Sequence, residues 1–334
     1  MSEPTPQPRR PRLSSWSWLL TLLLAAALLL LALRGIDWDE LAATLQRGRA
    51  DYLALACLVL TISFLLRGIR WGVILSAERR IPPLTMFWAT SAGYLGNTFL
   101  PARAGEIIRS ALVGRAAHIS TSYALATALT ERMLDALTLV LICMVALVLM
   151  PAIPPWLAVA AQVIGIIGII GLGVLAVAPR LEGFFSGLVQ RLPLPEALRD
   201  KLAALLAQFL LGLNAVLHPR RAALFTLLTV IIWLLDVVIA ITIAQALGLV
   251  LTPPQALILL AALGLSSAAP STPGYVGIYQ FVAVTILPLF DWSRSAALAY
   301  ILAFQAVTIV VVLLWGFIGL WRLGARRADI AAAG

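Results

Sequence analysis

Charge is scarce in this chain of 334 residues: charged residues make up 12% of it, against about a quarter in a soluble domain. Hydrophobic residues make up 62%, and the mean hydropathy is +1.00. These values exclude an ordinary water-soluble fold and leave room for one membrane-embedded unit. Cysteine is nearly absent. Cys57 and Cys143 lie inside apolar runs 86 positions apart, which excludes a disulfide framework or a thiolate metal site and leaves two ordinary core residues. His118 and His218 stand alone, each read as an interfacial residue, and no His-rich or Asp-rich metal cluster is present. No P-loop is visible, so nucleotide-driven work is not expected, and neither is a cofactor. The net charge of +9 belongs to loops, where it sets orientation and does not mark a nucleic-acid binder.

What is there is a series of long apolar runs. Six are long enough to cross a bilayer: Trp16–Leu33, Tyr52–Leu75, Ser120–Met150, Trp156–Ala178, Ala222–Leu247 and Ser295–Leu323. The first ends at Arg34 without a small-residue cleavage site, so it reads as a retained anchor. With the N-terminus in the cytoplasm, only Arg34, Arg47, Arg49 and Arg294 fall outside, and Arg132 lies within a span. The stretches Arg67–Arg115 and Arg180–Arg221, the N-terminal arginines and Arg322, Arg326 and Arg327 then fall inside, as the positive-inside rule requires. The expected organisation is a cytoplasmic tail over 1–15, one membrane domain over 16–323 and a cytoplasmic tail over 324–334, in the plasma membrane. Within it, 179–221 reads as an amphipathic cytoplasmic segment with Leu198, Leu202, Leu206, Phe209, Leu213 and Leu217 at helical spacing. A short extra span over 202–217 is the competing reading, and it would invert the topology that follows.

Two apolar segments are left over, Met86–Leu100 and Pro254–Ala269, each of about 15 residues and each ending in Pro and Gly. They read as re-entrant hairpins entering from opposite faces. Their breaks hold Pro101 and Gly105 in one case, and Pro270, Pro273, Gly274 and Gly277 in the other. Pro101 and Gly105 are four apart, as are Pro270 and Gly274, and the spans that follow begin with similar texture. This suggests an inverted repeat, and paired Gly/Pro-interrupted segments are the best sequence pointer to a transport site. The expected fold class is therefore an all-α polytopic membrane protein with about six transmembrane helices and two re-entrant hairpins.

The charges inside the apolar runs are the candidate site. Each costs about 2.5–3.5 kcal/mol at the centre of a span. Glu131 and Asp135 share a helical stripe with Thr127 and Thr138, and Arg132 can pair with Asp135. The same residues also fit a plain ion pair that orders helix packing. Asp236 has no basic residue within one turn; it is protonated, paired with Arg132 across the bundle, or a cation ligand. Arg103, Glu106 and Arg109 follow the first break. A helix starting near Ala104 would turn its free N–H groups toward that break and form an anion site beside Arg103. A surface salt bridge in a basic loop is the plainer alternative. The second break is nearly uncharged, with Ser271, Thr272, Tyr275 and Tyr279 as a neutral polar lining or a small-residue packing seam.

Together, Arg103-Ala-Gly-Glu106-Ile-Ile-Arg109, Glu131-Arg132-Met-Leu-Asp135 and Pro273-Gly274-Tyr-Val-Gly277 resemble the hallmarks of the flippase-like, lysylphosphatidylglycerol synthase transmembrane-region family, over roughly Trp38 to Leu323. The resemblance implies a protein that moves an anionic or aminoacylated lipid between leaflets, with polyprenyl-phosphate lipids as a further substrate class. It also implies a lipid-modifying synthase or glycosyltransferase as a partner class. Some relatives carry a soluble aminoacyl-transferring domain. Here the chain ends soon after Leu323, so aminoacyl-transferase activity is not expected. On this reading Arg103, Arg109 and Arg132 attract a phosphate, while Glu131, Asp135 and Asp236 balance a cationic head group or carry a proton. Two alternatives stand beside it: an intramembrane enzyme using Glu131 and Asp135 as an acid/base pair, and a non-transporting partner that anchors a synthase.

Overall fold

The computed structural model describes residues 15–100, 104–148, 155–267 and 272–332. Pro101, Arg103, Pro270 and Ser271 of the expected site lie outside the described residues. Those described form thirteen α-helices, short 3-10 turns and no strand. In chain order they are α1 (Ser15–Leu33), α2 (Trp38–Gln46), α3 (Ala50–Leu75), α4 (Pro83–Phe99), α5 (Gly105–Ala117), α6 (Thr121–Val148) and α7 (Pro155–Val177). There follow α8 (Glu182–Gln190), α9 (Glu196–Leu217), α10 (Pro219–Ala246), α11 (Pro253–Ser266), α12 (Ile278–Ile286) and α13 (Arg294–Ala332). Four described stretches are long and apolar enough to cross a membrane: Ala50–Leu75, Pro219–Ala246, Pro273–Phe290 and Arg294–Gly324. α6 is not among them, because every 18-residue window within it contains Glu131, Arg132 and Asp135. The side chains of α1 and α7 are only partly described.

The centre of the molecule is the pair α3 and α10, which run antiparallel. The Arg49 N–H donates to the Ala246 carbonyl at 2.9 Å at one end. At the other, Arg70 Nη1 donates to Thr229 Oγ1 at 3.2 Å. Around this pair the packing is reciprocal. The α4–α5 hairpin precedes α6, yet α4 packs on α13. The α11–α12 hairpin precedes α13, yet α11 packs on α6. Small residues permit both contacts: a Cβ on Gly319 would meet the Trp88 carbonyl at 2.4 Å, and one on Gly264 would meet Leu139 Cδ1 at 2.7 Å. Phe87 and Trp88 of α4 fill the first interface against Trp315 of α13, with ring centroids 5.6 and 6.0 Å apart.

Each hairpin is closed by its own chemistry. Pro83 starts α4 at a position where a missing N–H costs nothing. Gly93, Gly96 and Gly105 then let α4 and α5 meet backbone to backbone. In the second hairpin the break is irregular: Gly274, Tyr275 and Gly277 have φ of 69°, 58° and 90°. A glutamine ladder holds it. Gln280 accepts from the Gly277 N–H at 2.7 Å and donates to Gln305 at 2.6 Å, and Gln305 donates to the Gly274 carbonyl at 2.9 Å. The Gly277 N–H and the Gly274 carbonyl are thereby satisfied from within the protein.

The 179–221 region is a 3-10 turn, α8 and α9. The last turns of α9 are not a free amphipathic surface: Leu210, Leu213 and Val216 are buried, and Gly212 sits against Thr127 and Thr130 of α6. Gly105 provides a test of the first hairpin. A Cβ there would lie 1.9 Å from the Gly93 carbonyl oxygen and 2.6 Å from the Asn97 nitrogen, both backbone atoms. Gly105→Ala is expected to destabilise the detergent-solubilised protein by about 1–3 kcal/mol or more. Gly173→Ala, with nothing within 4 Å, is expected to be tolerated. Thermal melting followed by fluorescence size-exclusion chromatography distinguishes the two.

Candidate functional site

Eight charged side chains meet where α3, α5, α6 and α10 converge. Arg70, fully buried on α3, grips Asp135 through two oxygens at 2.7 and 2.9 Å and reaches Glu131 at 2.9 Å. Two-point binding of a carboxylate by a guanidinium is the strongest form of this contact. Arg109 of α5 is bonded to Glu106 at 2.6 Å and lies 2.9 Å from Glu131 Oε2. Its guanidinium also sits 4.3 Å from the centroid of the Trp71 ring, whose N–H donates to Thr127 at 3.1 Å. Asn97 of α4 donates to Glu106 at 3.1 Å, tying the two arms of the hairpin together. On the opposite side Arg67 of α3 pairs with Asp236 of α10, which also accepts from Ser63 at 3.1 Å. Among the described residues of the cluster, four guanidinium groups face four carboxylates, and each has at least one opposite charge in reach.

Arg132 differs from the other three arginines. Its contacts are long: 3.3 Å to Glu106, 3.4 Å to Asp135 and 3.9 Å to Glu131. Nε and Nη2 make no hydrogen bond. Its side chain is 23% exposed, against 17% for Arg67, 0% for Arg70 and 3% for Arg109. That exposure is toward a cavity of about 280 Å³ between the two hairpins. Arg67, Asp236, Glu106, Tyr94 and Asn97 line its ionic side. Two buried atoms there, Tyr94 Oη and Asn97 Oδ1, also lack hydrogen-bond partners. The opposite wall is neutral and comes from the second hairpin and α13: Gly274, Tyr275, Tyr279, Gln305 and Thr308. The Tyr275 and Tyr279 rings stack at 4.8 Å and 9°. A second cavity of similar volume shares Arg67, Arg132, Asp236 and Tyr279, and extends toward Trp233, Leu139 and Gly264. No group of three or more possible metal ligands occurs among the described residues.

The expected residues are therefore brought together unevenly. Glu106, Arg109, Glu131, Arg132, Asp135 and Asp236 belong to the cluster, and Gly274, Tyr275 and Tyr279 face it across the cavity. Thr272 bonds the Val276 carbonyl at 2.7 Å and shapes the turn. A helix does begin beside Ala104, but its first turn carries Glu106, so a carboxylate already stands near that positive helix end. Asp236 has Arg67 as its partner; none of the three expected states assigned it that residue. The charge count places Arg67 and Arg70 in a cytoplasmic stretch, whereas in the structure Arg70 is buried and Arg67 half-buried in the bundle. The signal was present: both fall within the apolar run Tyr52–Leu75, one helical turn apart. Tyr94, Asn97 and Gln305 gave no such signal, since a neutral polar residue in a span is unremarkable.

The chain matches the lysylphosphatidylglycerol synthase TM region over residues 18–316. It belongs to that family. It is thus an integral membrane protein with several apolar helices. A curated relative, named glycosyltransferase AglD, from Haloferax volcanii, is 28% identical over 339 aligned positions. The alignment takes in 89% of this chain and 52% of the relative, so the chain spans about half the length of the protein it matches. No solved structure matches.

The cluster generates a stability prediction. Glu131 contacts Arg70, Arg109 and Arg132, and its loss leaves several buried cations short of a counter-charge. Glu131→Gln is expected to cost about 3–5 kcal/mol, as breaking a buried pair from one side does. The apparent melting temperature in detergent should fall further than for Asp236→Asn, which uncovers one arginine.

Proposed function

We propose that this protein moves a phosphate-bearing lipid between membrane leaflets, its head group passing through the cavity between the two hairpins. The observation that carries this reading is Arg132, a loosely paired and partly exposed cation that lines a cavity walled by protein. Intramembrane charge of this kind marks substrate pathways, and guanidinium donors suit phosphate oxygens. Leu60, Phe64, Ile309 and Val312 make much of the remaining lining apolar, which suits the glycerol and upper acyl region of a lipid.

The antiparallel α3 and α10, with reciprocally packed hairpins, support an inverted repeat of α3–α6 and α10–α13. In such repeats substrate sites lie at the repeat interface, and access alternates by rocking one repeat against the other. The reading includes six spans, two re-entrant hairpins, cytoplasmic termini and a plasma-membrane location. A lipid synthase or glycosyltransferase is the expected partner class, consistent with the name of the relative from Haloferax volcanii. An acid/base role for Glu131 and Asp135 is disfavoured, because both are held by guanidinium groups that keep them in fixed pairs.

In proteoliposomes carrying a fluorescent phospholipid, the purified protein is expected to speed translocation above protein-free vesicles. Arg132→Gln should slow it on the order of tenfold or more, with the folded fraction measured in parallel. Translocation by the folded variant at the wild-type rate would remove Arg132 from the pathway.

A further inference from the structure

The charge balance of the cavity constrains the charge of what can enter it. Resting on the translocation reading, we infer that the cargo is a zwitterionic phospholipid, with one phosphodiester and one ammonium group and no net charge.

The four arginines and four carboxylates of the described cluster cancel. Charges placed in a low-dielectric site interact far more strongly than in water, so a net-charged guest leaves an uncompensated charge there. A zwitterion does not. The walls also offer one subsite for each of its charges. Arg132, 23% exposed, loosely paired and lining the cavity, takes the phosphodiester, and Tyr94 lines the cavity beside it. On the same ionic wall Asp236, 13% exposed and salt-bridged among the described residues only by Arg67, is the carboxylate least enclosed by guanidinium groups. Tyr279 lines the same two cavities as Asp236, and with Tyr275 it forms a stacked aromatic surface. A carboxylate beside aromatic faces is the chemistry that receives an ammonium group. Arg103 lies outside the described residues and is not counted.

The test uses the full chain in phosphatidylcholine vesicles. Phosphatidylethanolamine, phosphatidylcholine and phosphatidylglycerol, each labelled on an acyl chain with the head group intact, are compared by dithionite quenching. The two zwitterionic lipids are expected to cross at least about tenfold faster than phosphatidylglycerol. Asp236→Asn leaves the cluster with an excess positive charge and should reverse the order in favour of phosphatidylglycerol. The double variant Arg67→Gln/Asp236→Asn is neutral again and should lose the preference for phosphatidylglycerol that Asp236→Asn shows. Phosphatidylglycerol crossing as fast as the zwitterions in the wild type, or an order insensitive to both variants, would overturn the inference and leave translocation standing. No acceleration of any of the lipids would overturn the translocation reading as well. Should Asp236→Asn fail to fold, the wild-type order and the double variant still decide.

Discussion

The structure depends on one constraint: eight charges gathered inside an apolar bundle, five of them buried, must neutralise each other. None could stand alone there, because an isolated charge at membrane depth is costly and a half-satisfied network is worse than none. The cluster is assembled from four helices that are distant in sequence. Arg70 comes from α3, Glu131 and Asp135 from α6, Glu106 and Arg109 from α5, and Asp236 from α10. Its formation therefore requires the α4–α5 hairpin to be docked and α3 to lie against α10. The charges specify the register of the bundle in a setting where apolar contacts alone would tolerate sliding, since lipid is as good a solvent for leucine as another helix is.

The same constraint explains why the hairpins are unequal. The α4–α5 hairpin sits on the ionic side, so its tip is closed by Asn97 and Glu106 and its arms by glycine contacts. The α11–α12 hairpin has no charges to satisfy. It closes through the Gln280–Gln305 ladder and accepts the positive φ values of Gly274, Tyr275 and Gly277. For a tyrosine such a φ is strained, and the ring stack with Tyr279 and the amide ladder hold it in place. An irregular neutral wall thus faces a regular ionic one, and the cavity between them has a polarity that neither hairpin has alone.

Much of this was legible in the sequence. Apolar length gave α3 and α10 closely and the start of α13, which runs on past Leu323 to Ala332, and the Gly/Pro punctuation marked the breaks between α4 and α5 and between α11 and α12. The i,i+3 spacing of Arg132 and Asp135 predicted a pair that forms at 3.4 Å, while the salt bridge of Glu106 and Arg109, the plainer alternative for that break, forms at 2.6 Å in the buried interior and not at a surface. What was missed follows from a single choice. Counting Arg67 and Arg70 as loop charges removed from the bundle the partners of Asp236 and Asp135. The positive-inside count rewards arginines near span ends and cannot distinguish a snorkelling side chain from a buried one. Only the position of α10 alongside α3, a long-range fact, decides between them.

The division of labour among the arginines has a consequence for transport. A site that must release its cargo cannot bind it with every donor it has, because conduction requires binding weak enough to leave. Arg70 and Arg109 are held by close pairs to Glu131, Asp135 and Glu106, and so act on the helices. Arg132, with contacts of 3.3 to 3.9 Å, is held in place more loosely and is partly exposed at the cavity. On the proposed reading the carboxylates around it do two things. They fix its guanidinium at the cavity wall, and they compete with a bound phosphate, which keeps that phosphate from being trapped. An arginine without these neighbours would bind the anion more tightly and move it more slowly.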